Sequence, residues 1–230
     1  IPISAQQKIN LGKIYEFLAN IEIPERDLKS KPLFIVARSF DINRPGTLVK
    51  ELHGGVLGGA LKRGILKIGD DIEIKPGLIT KERNQTVYET VKTKIISLNR
   101  GNYSVRSAGP GGSLAIETEL DMSLTKADSL SGCVVGLKQE LPEITHKIKL
   151  KAQKFPEVIG AEGHLKVDDF KLSELLMLSI NTSISVGKIT LIKGNEIDLE
   201  LNIPIVPFKG ENVGIARNIQ GHWRLIGFGE

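Results

Sequence analysis

The chain has 230 residues, with 31 Lys and Arg against 27 Asp and Glu, one cysteine and 24 glycines. That length suits two domains of roughly 100 residues each, and 40% apolar with 25% charged residues argues for packed cores over disorder. No apolar run approaches the ~20 residues of a membrane helix. A lone Cys133 excludes an internal disulfide and any Cys–Cys metal pair and fits a reducing compartment. The expectation is a soluble protein.

Residue 1 is Ile, and no basic-plus-apolar leader opens the sequence, so the chain is expected to begin inside something longer. Leu11, Ile14, Tyr15 and Leu18 recur at helical spacing, with Ser4 as the expected N-cap and Pro24 as the stop. One helix of this size needs a neighbour to dock on. Residues 25–32 are polar and end in Pro32, as an exposed linker would.

From Leu33 the texture changes to short strands and frequent turns. Leu33–Ala37 is an apolar run that fits a buried strand. Asp41–Gly46 is turn chemistry. Gly54, Gly55, Gly58 and Gly59 sit in a strand pattern, where glycine marks a bulge or a close backbone approach. Asp71–Lys75 alternates and Pro76-Gly77 is expected to end it. Val91–Leu98 is a further strand, Asn99–Ser104 a polar turn, and Ala108–Gly112 a glycine-rich loop before Leu114–Thr118. After a boundary at Leu141-Pro142, strands are expected over 147–151, 175–180, 185–192, 196–201, 212–217 and 223–228, with Gly194-Asn195 as a two-residue hairpin. The prediction is an all-β chain: two consecutive small β-barrels, residues 32–139 and 140–230, preceded by a short helical stub over 1–31.

The charge is uneven. Residues 32–139 carry 15 basic and 11 acidic side chains, net +4, against +1 for 1–31 and −1 for 140–230. A basic bias favours a polyanionic partner, but on composition alone ordinary solvated surface is the better reading.

Catalytic machinery is hard to find. His53, His146, His164 and His222 form no metal-spaced pair. Cys133 lies in an apolar strand and reads as a small buried hydrophobe. Asp70-Asp71 and Asp168-Asp169 would point to opposite faces of a strand. No Gly-x-x-x-x-Gly-Lys-Ser/Thr loop is present. What remains is a recognition surface: Arg38, Arg44, Lys62, Arg63, Arg100 and Arg106, with forked guanidinium donors suited to phosphate. Phe40, His53 and Tyr103 are candidate stacking faces, or core.

Three longer motifs go further. Arg38-Ser39-Phe40-Asp41-Ile42-Asn43-Arg44-Pro45-Gly46, Gly54-Gly55-Val56-Leu57-Gly58-Gly59 and the closing Gly221-His222-Trp223-Arg224-Leu225-Ile226-Gly227-Phe228-Gly229 resemble, in order, segments of the gamma subunit of archaeal and eukaryotic translation initiation factor 2. Pro110-Gly111-Gly112 and Leu124-Thr125-Lys126-Ala127-Asp128 match as well. The start, Ile1-Pro2-Ile3-Ser4-Ala5, looks like the last guanine-recognition motif of a translational GTPase.

The resemblance implies the end of a GTP-binding domain followed by domains II and III of a plan similar to elongation factor Tu. It implies a cytoplasmic protein of translation initiation. It also implies tRNA contacts at Arg38, Ser39, Arg106, Gly109, Gly111 and Gly112, and a remnant guanine contact at Ser4 and Ala5. An alpha-subunit contact is implied at Asn99, Arg100, Asn102 and Tyr103. Implied partners are methionyl initiator tRNA, the alpha and beta subunits of a heterotrimer and the small ribosomal subunit. GTP and magnesium belong to the full-length protein, and this chain by itself is expected to hold no cofactor and to be no GTPase. The alternatives are the barrel domains of another translational GTPase, such as the selenocysteine-specific elongation factor, or an unrelated all-β enzyme.

Overall fold

The computed structural model describes residues 2–82, 85–160 and 164–230. Among the described residues, α1 (Leu11–Ala19) and two 3-10 helices, Val49–Glu51 and Met122–Asp128, accompany fifteen strands. The first nine are β1 (Leu33–Phe40), β2 (Val56–Arg63), β3 (Leu66–Lys67), β4 (Asp71–Glu82), β5 (Gln85–Arg100), β6 (Tyr103–Val105), β7 (Ser107–Ala108), β8 (Leu114–Thr118) and β9 (Val134–Leu137). Six of them close a barrel in the order β4-β9-β1-β2-β8-β5, with β5 pairing back onto β4 and β6 appended to β5. The remaining six, β10 (Thr145–Lys154), β11 (Leu175–Ile180), β12 (Ser183–Lys193), β13 (Glu196–Ile205), β14 (Val213–Ile219) and β15 (His222–Gly229), close a second barrel in the order β10-β13-β12-β11-β14-β15. The all-β, two-barrel reading is correct.

Side-chain parity explains the apolar run that opens the first barrel. Phe34 and Val36 point into its core with Leu57, Ile74, Ile95 and Ile116. Leu33 and Ile35 point the other way, into a third cluster with Val134, Leu141 and Val206 that forms the seam between the barrels. A strand buried on both faces shows no alternation. Each such Leu or Ile contributes on the order of 1.5–3 kcal/mol. Polar contacts add to the seam: Thr182 Oγ1 donates to the Val36 carbonyl at 2.8 Å, Lys62 Nζ reaches Asn181 and Glu211, and Arg63 lies 5.4 Å over the Phe208 ring. Lys75, 5% exposed, donates to the Pro142 carbonyl at 3.2 Å and pairs with Glu143 at 3.1 Å, so β4 grips the connection between the barrels.

Several local expectations are corrected. Ser4 does not cap α1. The helix starts at Leu11 behind Asn10 in the left-handed region, and the Ser4 hydroxyl accepts the Gln7 N–H at 3.2 Å inside a turn closed by Ser4 and Ile9. No residue of α1 is buried by the described chain. Pro76-Gly77 does not end its strand. The pair sits in a bulge between Ile74 and Leu78, and β4 continues to Glu82. Residues 25–31 are exposed, as expected of a linker, but they are tied to the first barrel. The Asp27 carbonyl accepts the Gly64 N–H at 2.8 Å, and Arg26 donates to the Pro110 carbonyl at 2.9 Å. The Gly194-Asn195 hairpin joins β12 to β13 as expected.

Gly59 shows why the glycine-rich strand has this composition. A Cβ there would overlap the Ile35 carbonyl and sit 3.0 Å from the Phe34 ring. Gly59→Ala is therefore expected to destabilise the protein by about 1–3 kcal/mol in denaturant unfolding. Gly12→Ala, in open space on α1, should leave the midpoint unchanged or raise it.

Candidate functional site

The outer wall of the first barrel carries a row of residues set by strand register. Arg38 on β1 pairs with Gly58 on β2, Gly58 with Ala115 on β8, and Ala115 with Asn99 on β5. One long polar side chain stands at each end, with a floor of Gly58 and Ala115 between. Three inter-strand steps place the ends roughly 14 Å apart. The next row is Phe40, Val56, Glu117 and Ser97, and the Phe40 ring, 37% exposed, lies over Gly58, where a Cβ would be 3.3 Å from it. Arg38, Phe40, Gly58, Ala115 and Asn99 line a trough of about 560 Å³, completed by Ile35, Gly101, Ser113 and Thr182, a size within the range of small-ligand sites.

Two bulges aim the row outward. In β1 the partner moves by one residue between Val36 and Arg38, leaving Ala37 as the extra residue. Phe34 and Val36 are buried before it, Ser39 after it, so parity switches and Arg38 and Phe40 face out. In β5 the same shift falls between Ile95 and Ser97. Ile95 is buried, Ile96 is 44% exposed, and Leu98 is buried, which turns Ser97 and Asn99 outward. A bulge re-aims side chains in this way.

Arg38 does not stand alone. Its Nε donates to both carboxylate oxygens of Asp128, at 2.8 and 3.0 Å, and Asp128 also accepts the Ser39 N–H at 3.0 Å. The Arg38 hydrogen bond, and then that of Ser39, hold the Asp128 carboxyl below its ordinary range. The guanidinium is 70% exposed, and its Nη groups have no partner among the described residues, so a forked donor remains for an anion.

The other expected site residues divide. The Ser39 hydroxyl is buried and accepts the Leu130 N–H at 3.0 Å. It anchors the 121–131 segment, so its side chain is committed inside the protein. None of Arg106, Gly109, Gly111 and Gly112 lines the trough. The space beside Gly109 and Gly111 is taken by Leu28 and the Arg26 guanidinium. Gly112 is open and Arg106 exposed. Asn99 belongs to the trough wall. Arg100 donates to the Gly109 carbonyl at 2.6 Å, whereas Asn102 and Tyr103 project from a hairpin tip, Tyr103 being 78% exposed. Ser4 and Ala5 lie in the turn before α1, and Ile1 lies outside the described residues.

Phe40, one of the candidate stacking faces, Gly58 of the glycine-rich strand, and Ala115, which the sequence did not single out, complete the site. The remainder of the Arg38–Gly46 motif is structural. Asn43 exchanges hydrogen bonds with the His53 backbone, 2.7 and 2.8 Å, and Asp41 accepts the Asn43 N–H at 2.8 Å, which holds its carboxyl low.

Among the described residues, the groups that could carry hydrolytic chemistry are engaged with one another. His53 meets Glu117 at 2.8 Å and Ser97 meets the other Glu117 oxygen at 2.6 Å, so the carboxylate separates hydroxyl from imidazole, unlike an activated serine. Burial pushes the Cys133 thiol up to about 11. Asp70 closes a turn by accepting the Lys67 N–H, and Asp169 pairs with Lys154. Among the described residues no group of three or more His, Cys, Asp or Glu could hold a metal ion. No helix among them is long and apolar enough to cross a membrane.

Two all-β barrels, the first with a largely apolar trough that Arg38 and Asn99 flank, define the class by fold. The translation elongation factor SelB of Methanococcus maripaludis, solved with a GTP analogue, superposes over 100% of this chain and 49% of its own with TM-score 0.71 at 20% identity, a likeness of fold. Residues 146–230 match the family model "Initiation factor eIF2 gamma, C terminal". Along all 230 residues the chain is 44% identical to translation initiation factor 2 subunit gamma of Methanocaldococcus jannaschii, 42% to that of Methanopyrus kandleri and 40% to that of Thermoplasma acidophilum. It spans 56% of each of these relatives. Residues 146–230 thus carry the C-terminal domain of the initiation factor 2 gamma family, and the whole chain is similar to part of its gamma subunits.

The depressed Asp128 carboxyl gives a pH signature. A carboxylate whose folded pKa lies below its unfolded value adds stability above that unfolded value, and loses it as the pH falls through the folded one. An NMR titration should therefore find the Asp128 midpoint below that of an aspartate in an unfolded chain. In Arg38→Ala it should move up.

Proposed function

We propose that this chain is the part of an initiation factor 2 gamma subunit that helps hold the aminoacylated 3′ end of methionyl initiator tRNA. The factor would carry that tRNA to the small ribosomal subunit in the cytoplasm. The observation that carries the reading is the Arg38–Gly58–Ala115–Asn99 row walled by Phe40. A nucleotide needs an anion donor, a flat apolar face and close backbone clearance, and Arg38, Phe40 and Gly58 supply these in turn.

Binding would depend on GTP and magnesium held elsewhere in the complete factor. The residues here do not fit that role. The sequence has no phosphate loop, and only Ser4 and Ala5 answer to a guanine-recognition motif. No step is therefore assigned to the nucleotide in this chain. The exposed Asn102–Tyr103 tip is the proposed contact for the alpha subunit, with the beta subunit completing the heterotrimer. Arg106 with Gly109, Gly111 and Gly112 is the second candidate for the tRNA, weakened because Arg26 and Leu28 occupy the glycine backbone's clearance.

The test is affinity of the complete GTP-bound factor for methionyl initiator tRNA. Arg38→Ala should weaken binding by about tenfold and lower the slope of log affinity against log salt by roughly 0.7–1, one phosphate contact. Gly58→Val, which fills the trough, should weaken it at least as much. Unchanged binding in both variants, with a loss in Arg106→Ala, would move the site to the glycine loop.

A further inference from the structure

The trough carries a directional chain of hydrogen bonds that the binding reading leaves unused. Glu117, its side chain 14% exposed, meets His53 Nδ1 at 2.8 Å through Oε1, and through Oε2 accepts the Ser97 hydroxyl at 2.6 Å. Asn99 Nδ2 donates to the same Ser97 oxygen at 3.3 Å. A carboxylate only accepts, and a serine hydroxyl has one hydrogen to give. Ser97 must therefore donate to Glu117 and can only accept from Asn99. This fixes which end of the Asn99 amide is the NH2 and which is the oxygen, a choice that an isolated asparagine leaves open. The remaining amide N–H and the Oδ1 have no partner among the described residues, and Asn99 lines the trough opposite Arg38.

We propose that Asn99 is the base-reading residue of the trough, its amide held by Glu117 and Ser97 with one acceptor and one donor free, the pattern that matches adenine's exocyclic amine and neighbouring ring nitrogen. The inference rests on the reading of the trough as a nucleotide site. An asparagine amide pairs with adenine through these two atoms and not with a 6-oxo purine, which presents the opposite pattern. Glu117 and Ser97 are positioning residues, since they act through Asn99 and touch no ligand. His53 braces the outer oxygen of Glu117.

The experiment compares three methionylated initiator tRNAs, ending in adenosine, inosine or purine riboside, on the complete GTP-bound factor. The wild type should bind the adenosine end on the order of tenfold tighter than either other end. Asn99→Asp, with two acceptors and no donor, keeps an acceptor for adenine's amine but loses the donor to its ring nitrogen, so the preference for the adenosine end should shrink to within about threefold. Glu117→Gln can donate to Ser97 and so releases the amide orientation. It should bring the three ends within about twofold of one another without abolishing binding, an outcome that mere loss of packing would not give. Equal wild-type affinity for the three ends overturns the proposal and needs no variant. If Arg38→Ala and Gly58→Val still weaken binding in that case, the trough reading stands and only the base reading fails. If they too are without effect, both fall.

Discussion

The candidate site depends on two extra residues, Ala37 in β1 and Ile96 in β5. A strand alternates strictly, so a residue's face is fixed by its distance from any neighbour of known direction. Phe34 and Val36 face the core, and an unbroken strand would send Arg38 and Phe40 in after them. That would bury a guanidinium without a partner, which is costly. The Ala37 bulge reverses the count, so the core receives Ser39, whose hydroxyl caps the Leu130 N–H. The Ile96 bulge does the same for Ser97 and Asn99. The two strands flank β2 and β8, which supply only Gly58 and Ala115 to the row, and the trough is the space those absent side chains leave.

Around this wall the rest of the chain acts as support. The 121–131 segment is tied to β1 through Asp128 and Ser39. The second barrel covers the neighbouring stretch of β1 through Leu33, Ile35 and Val206, and Thr182 both bonds the Val36 carbonyl and closes one side of the trough. The connection from α1 straps the glycine loop through Arg26 and Leu28. The wall is thus braced on both flanks, as a preorganised binding site requires.

The fold was legible because short alternating runs, glycine-rich strands and turn residues all pointed the same way, and Gly194-Asn195 named its hairpin outright. Part of the site was legible too: Arg38 stands out in a motif, and the Ile95-Ile96 doublet in an otherwise alternating strand is the trace of a bulge. The Ala37 bulge leaves no such trace, because Leu33–Ala37 is apolar on both faces. Gly58 and Ala115 were illegible as site residues because their contribution is a missing side chain. The internal bonds of Ser39 and Arg100 were illegible for a different reason. Polar side chains spent on a backbone partner, Leu130 and Gly109 here, look the same in sequence as ones offered to a ligand. Ser4 was taken as a helix cap because the turn between it and α1 carries no proline or glycine to betray it.

The most direct test places a photoreactive adenosine at the 3′ end of methionyl initiator tRNA and maps its crosslinks on the complete GTP-bound factor. Crosslinks on the peptides that carry Arg38–Phe40, Gly58 and Asn99 are the result expected if the two bulges build the site. Crosslinks confined to Arg106–Gly112, with none on the four-strand row, would contradict it.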